Sequence, residues 1–153
     1  MDAGKKILLD LLTGSLRFVV PVYQRRYSWG EAQCRQLWAD IVTAGRHPER
    51  THFTGSVVWM QEGGIGPDGL SRCLLIDGQQ RLTSVTLLLI ALAEYARERP
   101  EKLRFSADML IDRGYLVDKY ATGEGRYKLT LSGDDREVLH SMCDHVVVPD
   151  RPN

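Results

Sequence analysis

The chain has 153 residues, 43% of them hydrophobic, enough for one domain with a proper core and too few to expect two. Twenty Lys and Arg balance twenty Asp and Glu, so no global field draws the protein to nucleic acid. Any DNA affinity must come from a local patch such as residues 1 to 50, where eight Lys or Arg face five Asp or Glu.

Cys34, Cys73 and Cys143 are odd in number, far apart and in no metal-ligand spacing. The expectation is reduced thiols in a cytoplasmic protein. Lys5 and Lys6 precede an apolar stretch too short and broken for a signal peptide, and no run reaches membrane-spanning length. No membrane partner is expected.

Lys5 to Thr13 reads as a short amphipathic helix stopped by Gly14, and Arg17 to Val20 as a brief strand ending at Pro21. Val22 to Trp29 sets two adjacent arginines between Tyr23, Tyr27 and Trp29, a mixture that suits phosphate binding with base stacking. The same pattern also suits core aromatics with a surface arginine stacked on them. Ser28 and Glu31 read as a capping box for a helix carrying Cys34, Leu37, Trp38, Ile41 and Val42 on one face, with Trp38 in the core. His47 and His52 are too isolated to suggest a metal.

Phe53 to Gln61 has strand composition, and the glycine-rich Glu62 to Gly69 reads as a hairpin loop into Cys73 to Ile76. That glycine cluster lacks the Gly-Lys-Ser/Thr ending of a phosphate loop and no helix follows it. The hairpin would bring Ser56 near Asp77, as a pocket residue or as an ordinary strand residue.

The most informative stretch is Leu74 to Leu82. A continuous apolar strand, expected to be buried on both faces, breaks at Asp77-Gly78 and gives way to a long helix that is apolar nearly all round. Such a turn aims the free N–H groups of the helix start at one spot that favours anions. Arg81 stands in the first turn, where a cation is electrostatically out of place unless an anion is present. Gly78 would admit a ligand close to the backbone, Gln79 and Gln80 offer donors and acceptors, and Asp77 would hold a metal ion or orient water. The plain alternative is that Asp77 caps the helix and Arg81 points to solvent.

Three segments in order, Pro21 to Trp29, Phe53 to Val58 and Asp77 to Thr83, resemble the N-terminal domain of the GmrSD-type restriction endonucleases. That domain also opens the phosphorothioate-sensing enzymes known as SspE and is related to the ParB and sulfiredoxin superfamily. The resemblance is specific over about residues 15 to 95 and loose elsewhere. It implies one α+β domain over residues 1 to 153, ParB/sulfiredoxin-like, with a small mixed sheet packed with helices and a central helix after the Asp-Gly-Gln-Gln-Arg turn. It also implies an NTP-handling site: Gln24, Arg25, Arg26, Ser56, Gly78 and Arg81 bind the nucleotide, and Asp77, Gln79, Gln80 and Arg81 carry the chemistry. Mg²⁺ would come with the NTP and contact Asp77. Val20, Pro21, Tyr23 and Arg25 would sense the DNA modification.

Beyond Pro100 the signal weakens. Ser106 to Lys119 reads as a helix, Arg126 to Leu131 as a strand, and Ser132 with Asp135 as the cap of a last helix carrying Val138, Leu139 and Met142. Relatives continue with a nuclease domain, so the chain is expected to be the N-terminal part of a longer restriction protein or a short family member, with a nuclease domain or subunit as partner. His140 and His145 have no partnering Asn-His pattern, so DNA cleavage by this chain is not expected. Sulfiredoxin chemistry needs a cysteine in the Gly78 to Arg81 turn, and there is none. Three functions remain: a DNA-gated NTPase of anti-phage defence, a non-catalytic reader of modified DNA, or a subunit-contact module.

Overall fold

The computed structural model describes residues 3–147. In chain order the elements are α1 (Leu8–Thr13), β1 (Leu16–Val19), α2 (Glu31–Arg46), β2 (Val58–Ile65), β3 (Ser71–Asp77), α3 (Gln79–Glu98), α4 (Ala107–Asp112), β4 (Leu129–Thr130) and α5 (Asp134–Val147). The strands form one mixed sheet in the order β2-β3-β1-β4. Strand β1 runs parallel to both β3 and β4, and β2 is antiparallel to β3. The fold is α+β, with a small mixed sheet packed with helices.

Side-chain alternation decides how β3 packs. Ser71, Cys73 and Leu75 are buried, Arg72 and Leu74 half-buried, and Ile76 and Asp77 exposed. The expectation of burial on both faces is therefore corrected: the apolar run Cys73 to Ile76 serves one covered face and one open one. Phe18, Cys73 and Leu75 meet Leu82, Val85, Leu89 and Ala93 of α3 in the core. Trp59 closes this layer edge-on to Phe18, with ring centroids 5.6 Å apart. Each large side chain so buried contributes about 1.5–3 kcal/mol of transfer free energy.

Helix α3 is central, but its buried surface is not purely apolar. Gln79, Gln80, Thr83, Ser84 and Thr86 are also buried. The three hydroxyls bond back to carbonyls four residues earlier, Thr83 to Gln79 (2.7 Å), Ser84 to Gln80 (2.8 Å) and Thr86 to Leu82 (2.9 Å). Such bonds satisfy the hydroxyls locally and let polar residues sit in the interior.

Other expectations shift. The Ser28–Glu31 capping box does not form, because the Ser28 N–H is taken by Gln80 Oε1 at 2.7 Å. The chain turns helical only after Gly30, whose N–H is accepted by the Gln33 side chain at 3.0 Å. Trp38 is 57% exposed and not a core residue, since α2 buries only Leu37. Strand β2 begins at Val58 instead of Phe53, and the residues just before it, Ser56 and Val57, lie with their backbone against Gly78 outside the strand ladder. The hairpin turn then narrows to Gly66–Leu70, closed by Gly66 N–H to Leu70 O at 2.9 Å. Helix α4, capped by Ser106 Oγ, stops at Asp112, well short of Lys119.

The parallel pairing fixes where function can sit. The carboxyl ends of β1, β3 and β4 lie at one end of the sheet, and the Pro21–Trp29 loop, the start of α3 and the start of α5 all leave from there. Loops at the carboxyl ends of parallel strands are the usual place for a ligand crevice.

Candidate functional site

Gly78 makes the turn possible in two ways. Its φ of +89° lies in the left-handed region, and a Cβ there would fall 2.9 Å from Ser56 O and 3.1 Å from Val57 Cα. The space that a ligand was expected to use above Gly78 is thus filled by the backbone of Ser56 and Val57. The Gly78 N–H is taken by Asp77 Oδ1 at 2.8 Å, so Asp77 closes its own turn. Beyond it, α3 has no side-chain cap and no acidic residue in its first turn. Among the described residues the N–H groups of Gln79, Gln80 and Arg81 have no capping partner, the arrangement that attracts an anion.

The two glutamines have separate tasks. Gln80 is committed at both ends, with Nε2 donating to Arg26 O (3.1 Å) and Oε1 accepting from Ser28 N (2.7 Å). Gln79 Nε2 donates to Arg25 O at 2.9 Å, but its Oε1 is buried with no partner among the described residues. Gln24 Nε2 donates to Ile76 O at 3.3 Å. These side chains pin residues 24–28 along the first turn of α3, at about 0.5–1.5 kcal/mol net per bond.

The arginines also differ. Arg26 pairs with Asp135 in the first turn of α5, Nη2 to Oδ1 at 2.5 Å and Nε to Oδ2 at 3.3 Å. The hydrogen bond raises the Arg26 pKa above its ordinary value and holds the Asp135 carboxyl below the usual carboxylate range. Arg25 is exposed, with no side-chain hydrogen bond or ion pair among the described residues. The Arg81 guanidinium lies 6.0 Å from the Trp29 ring centroid and its Nη1 donates to Ser56 O at 3.4 Å. It occupies the place a Cβ on Gly55 would take, and Gly55 has φ +113°.

A narrow crevice joins these parts, walled by Arg25 and Arg26 from the loop, Gln79 and Thr83 from α3, and Ser132 and Asp135 from the start of α5. Its innermost part has room for little more than a water. Val20 and Pro21 are buried, and Val20 lines this crevice instead of the outer surface. Val22 and Tyr23 are 88% and 73% exposed beside Arg25. The structure thus gathers Gln24, Arg25, Arg26, Asp77, Gln79, Gln80 and Arg81 around one helix start, while Ser56 joins through its carbonyl. Asp135 was legible only as a capping residue; no local pattern in the sequence announces an ion pair across 109 positions.

A model of the GmrSD restriction endonuclease N-terminal domain matches residues 8–150. The chain belongs to this family. It is thereby a component of a restriction system, and the match carries the GmrSD N-terminal domain from the first residue of α1 past the end of α5, well beyond residues 15 to 95. No curated protein matches the chain. Among the described residues no helix is long and apolar enough to cross a membrane.

Among the same residues no three His, Cys, Asp or Glu side chains gather to hold a metal ion. Mg²⁺ bound largely through phosphate oxygens and water needs only one or two carboxylates, and the exposed Asp77 at the anion-favouring helix start fits that demand.

Proposed function

We propose that this domain binds a nucleoside triphosphate at the start of α3 and hydrolyses it, as the sensor and NTPase part of a modification-dependent restriction enzyme. The observation that carries the reading is the uncapped first turn of α3, free of acidic side chains and flanked by Arg81 and an uncommitted Arg25. Arg25, Arg81 and the N–H groups of Gln79 and Gln80 bind the phosphates. Arg26 reaches them only on leaving Asp135. Asp77 would hold Mg²⁺, which supplies charge neutralisation when it arrives with the triphosphate.

Gln79, not Gln80, orients the attacking water, because among the described residues its amide oxygen is left without a partner and Gln79 lines the crevice between loop and helix. Accepting a hydrogen bond from that water would turn a lone pair of its oxygen toward phosphorus. Gln80 is a positioning residue that holds the loop. The test is hydrolysis of the four ribonucleoside triphosphates by the purified chain with Mg²⁺, with and without phosphorothioate DNA. Turnover that disappears in a folded Arg81→Lys variant supports the reading; unchanged turnover removes it.

A second reading, a reader of modified DNA, is favoured by Val22 and Tyr23 standing exposed beside Arg25. Sulfur is less strongly hydrated than oxygen and suits an apolar surface next to a cation. Equal affinity for phosphorothioate and ordinary duplexes at one salt concentration would exclude it.

A further inference from the structure

Helices α2 and α3 face each other without closing. Between them lies a cavity of about 140 Å³ whose apolar walls are Leu37, Trp38, Leu87 and Leu88. Cavities of about 150 Å³ with apolar walls take an aromatic ring. One wall is polar: the Tyr27 hydroxyl sits 2.9 Å from Ser84 Oγ and 3.6 Å from Cys34 Sγ. Ser84 gives its hydrogen to Gln80 O at 2.8 Å, so Tyr27 must give its own to Ser84. The Tyr27 oxygen therefore keeps acceptor capacity toward the cavity, suited to a ring whose edge carries N–H donors.

Position ties this cavity to the helix start. Tyr27 forms a wall of both the crevice beside Gln79 and the apolar cavity. Along α3, Ser84 and Leu88 stand four and eight residues beyond Gln80, rises of about 6 and about 12 Å. A ribose with its first phosphate bridges that separation. We infer that the α2–α3 cavity receives the base of the bound nucleoside triphosphate, stacked among Leu37, Trp38 and Leu88 with its N–H edge on Tyr27.

This inference rests on the triphosphate reading and is separable from it. Cys34 is the exposed thiol and lines the cavity, whereas Cys73 and Cys143 are buried. Burial pushes the Cys143 thiol up to about 12, so it serves as an inert internal control. With Mg²⁺ present, a saturating nucleoside triphosphate should slow iodoacetamide alkylation of Cys34 roughly tenfold, whereas inorganic tripolyphosphate, shown to bind by calorimetry, should not. Protection by tripolyphosphate as well, or triphosphate binding without protection, would overturn the base assignment and leave the anion site standing. Failure of both compounds to bind would remove both readings. As a second arm, Leu88→Trp narrows the cavity and should weaken triphosphate binding roughly tenfold while leaving tripolyphosphate affinity unchanged. Equal affinity of the folded variant for the triphosphate would also overturn it.

Discussion

Arg26 and Asp135 tie the loop after β1 to the first turn of α5 across the crevice, with Arg26 Nη2 2.5 Å from Asp135 Oδ1. The pair neutralises one of the two arginines that the loop offers to a phosphate. Asp135→Asn should therefore raise triphosphate affinity a few-fold at low ionic strength, with the gain fading as salt increases. Isothermal titration of wild type and variant at two salt concentrations reads this directly. Unaltered affinity would mean that Arg26 takes no part in binding even when released. Because Asp135 has a depressed folded-state pKa, its contribution to stability is present above the ordinary carboxylate range and is lost as pH falls through the folded value.

The glutamines after Gly78 should separate by phenotype. Gln80→Ala removes two hydrogen bonds and strands Arg26 O and Ser28 N in partly buried positions, a loss of about 1–3 kcal/mol in denaturant unfolding. Gln79→Ala removes one such bond and should cost less stability, about 0.5–1.5 kcal/mol, but should lower kcat for hydrolysis about a hundredfold. Equal stability losses with equal residual activity would contradict the division of roles.

How much of this was legible beforehand depended on range. The α3 helix, the strand before it and the hairpin were visible because their periodicity is local, and the family was legible from three separated motifs, one of which spans the turn into α3. The fate of Gln79 and Gln80 was not, since their partners lie more than fifty residues away in a loop without periodic structure. Trp38 was misplaced for a related reason: its helical face is apolar, but α3 offers Leu87 and Leu88 across an open cavity instead of closing on it. A pattern shows which face of a helix is apolar, and packing decides whether anything covers it.

Gly55 and Gly78 should both resist replacement, for unequal reasons. Gly78→Ala forces a left-handed residue and a clash with the main chain of Ser56 and Val57, which cannot move aside cheaply. A loss of at least about 2 kcal/mol in urea unfolding is expected. At Gly55 a Cβ would meet the Arg81 guanidinium, the far end of a flexible side chain. Gly55→Ala should therefore displace Arg81 from Ser56 and Trp29 and reduce triphosphate affinity, with the backbone strain of φ +113° adding about 1 kcal/mol. A Gly55→Ala protein with wild-type nucleotide affinity would show that the seat of Arg81 is unimportant.

His140 gives the fold a dependence on pH in a different window from Asp135. Its ring stacks on Tyr127 at 3.6 Å and its Nε2 faces Thr130 Oγ1 at 3.3 Å. Burial lowers its pKa from the ordinary 6.5, and nearby Arg136 pushes the same way; Glu124, Asp144 and the Leu129 backbone oppose the shift without reversing it. The folded state therefore resists a proton that the unfolded chain accepts, so unfolding takes up a proton and stability rises with pH through this range. As pH falls through 6.5 the protein should lose stability, and the loss should level off once His140 protonates in the folded state as well. Urea midpoints measured between about pH 8 and about pH 5 should show this slope, and His140→Phe, which keeps an aromatic ring against Tyr127, should flatten it. If the slope survives in that variant, the proton uptake belongs to another group.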